Sequence, residues 1–391
     1  MSLCEIKFEE IYRKSPAGVA FCPYRICPVG AHSDHQLGKV TGLAIEKGIH
    51  IAYAPKLNGV VEICSLQFDK RAQWHIRAVP DTRTGDWADY LRGATLEMMK
   101  RYPLQNGISA VIEGSLPIGG LSSSASVTLA FLKALASVNG VSLSQPELVN
   151  MALNAERDYV GVSCGKLDQS CEVYSKAGSL FYLDTLDDTY ALLPAPEKMK
   201  PYRIMIFFSG AERSLVGSAY NMRVDECKSA AYALKAFSGA EYGRYADTFC
   251  RQVPREAFER YGGLLPEQWR KRALHWYGEQ ERVEKAVGAW RVGDMDAFGK
   301  LVFESGRSSI ENYETGGPEL KALFEIMTRT DGIYGGRFCG AGFRGCCMAI
   351  IDPAFEESVA ASVSERYLQL FPQHADRYMA VICRSADGIS L

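Results

Sequence analysis

The chain has 391 residues, 47% of them hydrophobic and 23% charged, with a formal net charge of −2. This is ordinary globular composition, long enough for two cores, with no global basic field to draw it to nucleic acid or an anionic membrane. No apolar run reaches the roughly 18 residues of a membrane span, and the opening MSLCEIKFEE has neither the basic start nor the apolar centre of a secretory signal. Twelve cysteines, several inside apolar runs such as GCCMAI, read as small hydrophobes in a reduced, cytoplasmic protein. Cys22/Cys27 and Cys164/Cys171 lack zinc-knuckle spacing, and the histidines form no HxxxH pair.

In chain order, GISAVIEGSLP (107–117) alternates Ile108, Ala110 and Ile112 against Ser109, Val111 and Glu113, which predicts a half-buried strand. SASVTLAFLKALASVNG follows as a helix, with serines as caps and Gly140 as its stop. SQPELVNMALNAERDYVG predicts another, with Pro146 in its first turn and a stripe of Leu148, Met151, Ala152, Ala155 and Tyr159. The three prolines of LLPAPEKMKPYR (192–203) mark the best crossover, dividing the chain into 1–195 and 196–391. RIMIFFSG (203–210), FRGCCMAIIDP (343–353) and RYMAVICRS (377–385) predict strands, and residues 264–312 a polar-amphipathic helical stretch. The last strand leaves room for a return toward the first domain.

Between the first strand and helix lies LPIGGLSSSAS (116–126). Strand, glycine-rich loop and helix form a phosphate cradle, because glycine admits a close ligand and the helix N-terminus offers unpaired N–H groups. No lysine follows the glycines, so this is not a Walker A loop. Read alone, the stretch fits a capped helix after a flexible turn equally well.

PIGGLSSSAS resembles the phosphate loop of the GHMP kinases, the superfamily of galactokinase, homoserine kinase and mevalonate kinase, although galactokinases usually carry one further glycine there. PYRICPVGAHSDHQLG (23–38) is similar to the galactokinase sugar signature, and GRFCGAGFRGCC (336–347) resembles the third GHMP motif, a glycine-rich turn beside the phosphate loop. SCGKLDQS (163–170) and FESGRSSIENYE (303–314) also match galactokinase-like segments. The resemblance implies an α+β, two-domain GHMP kinase fold, with a ribosomal protein S5 domain 2-like N-terminal domain and a ferredoxin-like C-terminal domain. It implies an ATP-dependent carbohydrate kinase using ATP and Mg²⁺, with ATP and sugar meeting between the halves and no nucleic acid or membrane partner.

The same resemblance assigns roles. Asp168 takes the position of the base, and Arg25 bridges it to the transferring phosphoryl group. Gly119, Gly120, Leu121, Ser122, Ser123, Ser124 and Ala125 would cradle ATP, and Ser124 with Glu156 would hold Mg²⁺. His32 and Asp34 would bond sugar hydroxyls, as would Tyr220, in AYNMRVDEC (219–227). Trp87 and Tyr90, in DWADYLRG, match a segment near the nucleotide but read as core.

The signature departs from galactokinase at one position. Galactokinases read Gly-Glu-His-Thr-Asp; here the run is Gly30, Ala31, His32, Ser33, Asp34. The family's Glu contacts the C6 hydroxyl, and a Glu there would repel a C6 carboxylate. Ala31 removes that repulsion, so galacturonate is favoured over galactose. A pentose, a C6-deoxy sugar or a degenerate site would also lose the need for Glu. PYRICPVGAHSDHQLGKV, with Tyr24 where galactokinases have Gly, GGRFCGAGFRGCC and AYNMRVDEC resemble galacturonokinases. Tyr24, Arg213 and Tyr220, and less so Lys166, are candidates to bind the carboxylate. An ordinary galactokinase and a catalytically silent sugar sensor remain the alternatives, the latter disfavoured by the intact serine loop, Arg25, Glu156 and Asp168.

Overall fold

The computed structural model describes residues 2–68, 70–211, 217–241, 243–343 and 345–390. Helix α1 (Leu3–Tyr12) precedes β1 (Gly18–Ile26) and the long β2 (Lys39–Lys56), followed by β3 (Val60–Ser65), β4 (Lys70–His75), α2 (Asp89–Arg101) and β5 (Gly107–Gly114). Then come α3 (Ser123–Val138), α4 (Gln145–Asn154), α5 (Leu167–Tyr174), β6 (Ser179–Asp184) and β7 (Thr189–Pro194). These strands make one sheet in the order β4-β3-β5-β2-β6-β7, with β1 also on β2 and only β3 and β5 parallel.

The second sheet orders β11 (Met379–Cys383), β8 (Arg203–Phe208), β10 (Cys346–Ile351) and β9 (Ile333–Phe338), all antiparallel. Between β8 and β9 lie α6 (Gly217–Phe237), α7 (Arg255–Tyr261), α8 (Glu267–Arg291), α9 (Met295–Glu311) and α10 (Pro318–Met327), and α11 (Glu356–Leu370) precedes β11. Side chains alternate along β8 as strand geometry requires. Ile204, Ile206 and Phe208 join the core shared with the first sheet, while Met205 and Phe207 pack with Leu323, Phe324 and Val363 of α10 and α11.

Local sequence explains several boundaries. Ser144 and Glu147 close a capping box at the start of α4, with Pro146 in the first turn. The stretch expected as one helical region, 264–312, is two helices broken at Gly293 (φ 73°), where Asp294 accepts from Ala297 N at 2.9 Å and starts α9. Strand β5 differs from the half-buried expectation. Ile108, Ala110 and Ile112 face the main core, but Val111 on the other face is equally buried, under Cys4 and Phe8 of α1. After β11 the chain does return to the first sheet. Ala386 N donates to Ala44 O at 2.9 Å, and Ile389 N to Glu172 O at 2.8 Å.

The third glycine motif and the phosphate loop meet backbone to backbone. A Cβ on Gly345 (φ 107°) would lie 2.7 Å from the carbonyl carbon of Gly119, and one on Gly340 would lie 2.8 Å from Gly120 O. Gly140, ending α3 at φ 64°, has nothing within 4 Å of such a Cβ. Gly140→Ala should therefore cost only left-handed backbone strain, about 1–2 kcal/mol. Gly345→Ala should cost distinctly more in thermal or denaturant unfolding, because the loops must also separate. Equal losses would contradict the packing described.

Candidate functional site

The loop between β5 and α3, the end of β1, the start of α5 and the third glycine motif converge on a cleft of about 530 Å³. That is ample for a small ligand. Gly119, Gly120, Ser122, Ser123 and Ser124 line it, with Gly119 at φ 150° and Gly120 at φ 85°. The first turn of α3 supplies N–H groups with no intrahelical acceptor. Leu121 and Ala125, expected in the ATP cradle, are buried at 1% and 0% exposure, so only their backbone is placed to serve. Nor is Ser122 the helix cap the serines suggested. It adopts φ 64° and makes no side-chain cap bond; its hydroxyl donates to Asp168 Oδ2 instead.

Asp168 sits in the first turn of α5 and Arg25 near the end of β1. Arg25 Nε donates to Asp168 Oδ1 at 2.7 Å, and Nη1 to Gly120 O at 3.1 Å. Arg25 is 4% exposed; burial alone would disfavour its charge, but the Asp168 carboxylate outweighs this and holds the guanidinium protonated. One turn along α5, Glu172 is fully buried and accepts from Ser126 Oγ at 2.8 Å. Burial, then the charge of Asp168, pushes its carboxyl well above the usual range.

Glu156 lies in a π-helical turn, Ala155–Val160, that continues α4. It is 4% exposed and accepts from Gln169 Nε2 at 2.6 Å. Burial and the negative charge of Asp168 push it up to about 7, while the Ser124 hydroxyl against it acts in the opposite sense. Ser124 and Glu156 therefore meet across the cleft wall. An almost buried carboxylate without a cationic partner suits a metal ion. Among the described residues no group of three or more His, Cys, Asp or Glu gathers as a cation site.

Ala31, His32, Asp34 and Tyr220 line the same cleft. His32 is at φ 61°, stacks on Tyr313 (4.4 Å between centroids), and bonds Gly340 O through Nε2 at 3.0 Å. A carbonyl only accepts, so Nε2 carries the proton and Nδ1, which has no partner among the described residues, is an acceptor. Asp34 Oδ2 accepts from Leu167 N at 3.1 Å, fixing the signature loop to the start of α5; burial and then Asp168 raise its pKa.

The other candidates for a carboxylate-binding group fare differently. Tyr24 is 1% exposed in the main core and does not line the cleft. Lys166 pairs with Asp188 at 2.5 Å, away from it. Arg213 lies outside the described residues. Trp87 stacks on Phe68, as a core reading allowed, but Tyr90 lines the cleft.

One set of residues around the site was not anticipated. His275 Nε2 donates to Ala31 O at 3.0 Å, and Glu279 accepts from Gly30 N at 2.7 Å, so α8 carries the sugar signature loop on its buried face. The signal was present as Arg272, His275, Glu279 and Arg282, polar residues at helical spacing on one side of a helix.

No helix among the described residues is long and apolar enough to cross a membrane. Comparison with known proteins agrees with this geometry. Residues 89–176 match the GHMP kinases N terminal domain, 284–369 the GHMP kinases C terminal domain, and 6–55 the galactokinase galactose-binding signature. The chain is 36% identical to a galacturonokinase of Arabidopsis thaliana, over 96% of this chain and 93% of that one. It is 30% identical to a galactokinase of Thermococcus kodakarensis, over 94% and 98%. Among solved structures, Lactococcus lactis galactokinase complexed with galactose superimposes with a TM-score of 0.89 at 26% identity, covering 99% of this chain and 98% of that one. A mevalonate kinase, at 14% identity over 95% of this chain and all of its own, shares the fold with a TM-score of 0.67. The chain therefore belongs to the GHMP kinase family, in its two-domain α+β fold, and is an ATP-dependent carbohydrate kinase.

Proposed function

We propose that this sugar 1-kinase acts on D-galacturonate, transferring the γ-phosphoryl group of ATP to the anomeric hydroxyl to give α-D-galacturonate 1-phosphate. The observation that carries the substrate is Ala31, in the wall of the cleft where the galactokinase signature has Glu. The 36% identity to a galacturonokinase supports the same reading. A methyl group there leaves space and no negative charge opposite a C6 carboxylate.

In this account Asp168 accepts the proton of the anomeric hydroxyl. Arg25 and Ser122 occupy one lone pair on each of its oxygens, which holds the carboxylate in place while the remaining lone pairs stay available. The sugar oxygen then bonds to the γ-phosphorus as the bond to the β,γ-bridging oxygen breaks and ADP leaves. Arg25, already charged, stabilises the negative charge spread over the transferring group. The turn at Gly119 and Gly120 and the first N–H groups of α3 bind the phosphates. His32 and Asp34 bond sugar hydroxyls and hold the ring, and Tyr220 lies against it. Ser124 and Glu156 would hold Mg²⁺, which when bound neutralises phosphate charge. The division at 195/196 places the sugar signature, phosphate loop and base in the first domain, and Tyr220 and the third motif in the second.

Asp168→Asn should preserve sugar binding and lose at least 10²-fold in kcat; turnover near wild type would remove Asp168 from the role of base. Ala31→Glu should move the ratio of kcat/KM for galacturonate over galactose toward galactose by about tenfold or more. An unchanged ratio would contradict the C6 account.

A further inference from the structure

Behind the Ala31 end of the cleft lies a buried ionic cluster that the chemistry at Asp168 does not use. Arg337, on β9, is 1% exposed. Its guanidinium donates only to neutral groups: Nη1 to Ser305 Oγ, Nη2 to Ser309 Oγ at 3.0 Å, and Nε to Phe338 O at 3.2 Å. No carboxylate of the described residues pairs with it directly. Glu279, which shares the Ser305 hydroxyl with it, is fully buried and is held by Arg282 Nε at 3.1 Å and Gly30 N at 2.7 Å. Two guanidinium groups thus act on one carboxylate, and that carboxylate accepts from Gly30 N, next to Ala31.

The neighbouring imidazoles do not alter this balance. Burial holds His32 well below its usual range, His275 at about 4 and His35 at about 3, so all three are neutral at pH 7. Arg337 is the largest charge acting on His32 and on the Cys27 thiol, both in the cleft wall. The cleft's own carboxylates, Asp34, Asp168 and Glu156, gather with Arg25 around the reacting end. Arg157, bonded to Cys164 O at 2.8 Å, stands exposed at the rim. A buried cation lacking its full countercharge is costly in a low-dielectric wall, and a ligand that brings a negative charge close to it recovers that cost.

We propose that Arg337 is a specificity-determining residue, whose incompletely balanced charge favours a sugar with a carboxylate at C6 over one with a hydroxymethyl group. The proposal rests on the galacturonate reading above. It also gives Ala31 a second meaning: a Glu at this position would bring the cluster to two positive and two negative charges and cancel the attraction.

The test is kcat/KM for galacturonate and for galactose in wild type, Arg337→Gln, Arg337→Lys and Arg157→Gln. Arg337→Gln should lower the galacturonate-to-galactose ratio about tenfold, chiefly through the KM for galacturonate. Arg337→Lys, which keeps the charge, should restore most of it, and Arg157→Gln should leave the ratio within twofold of wild type. An equal loss on both sugars in Arg337→Gln, or a ratio that follows Arg157 instead, overturns the proposal. Should Arg337→Gln not fold, Ala31→Glu and Ala31→Gln decide, being equal in size and different in charge. The ratio must fall several-fold further with Glu, and equal falls overturn the proposal. Wild-type protein inactive on galacturonate overturns the substrate reading and this inference together. Wild type active on galacturonate, with an Arg337→Gln loss common to both sugars, overturns this inference alone.

Discussion

The contact on which the rest of the structure depends is the ion pair of buried Arg25 with half-buried Asp168. Through it β1, the phosphate loop and α5 are fixed to one another, since Arg25 also bonds Gly120 O and Asp168 also accepts from Ser122. The Asp168 carboxylate offsets the burial of the Arg25 guanidinium, which is 4% exposed, and holds it charged. Its field extends further: Glu172, Glu156 and Asp34 all have raised pKa values from burial first and Asp168 second. Asp168 is thus surrounded by carboxyl groups pushed toward their neutral forms.

The cleft is assembled from backbone as much as from side chains. Gly119 and Gly120 lie against Gly345 and Gly340 with no room for a Cβ, which lets two loops from distant parts of the chain form one continuous wall. The opposite wall is set by α8, whose His275 and Glu279 reach the backbone of Ala31 and Gly30. The sugar signature is thus positioned by a helix that begins some 235 residues later in the chain.

Local features of this architecture were legible in the sequence. The strand–glycine loop–helix unit, the Pro146 start of α4, and the strands at β8, β10 and β11 follow from periodicity and punctuation. The convergence of Arg25, Asp168, Ser124, Glu156, His32 and Asp34 on one cleft was implied by the resemblance to the GHMP kinases. What was hidden depends on contacts remote in sequence. The second face of β5 is buried only because α1 happens to cover it. Ser122 looks like a cap until Asp168 is placed beside it. Tyr24 and Lys166 are polar residues in or near motifs, yet one packs into the core and the other turns to Asp188. Arg337 stands inside the third motif, but its isolation from countercharge emerges only when Ser305, Ser309 and Glu279 are brought around it.

The central claim is that a carbohydrate kinase has become selective for a uronic acid by losing one carboxylate. It is tested most directly by incubating the purified protein with Mg-ATP and, separately, galacturonate, glucuronate, galactose and arabinose, and following ADP release. The account predicts ADP with galacturonate at a rate well above that with any of the other sugars. ADP chiefly with galactose would contradict it, leaving the kinase and removing the meaning given to Ala31.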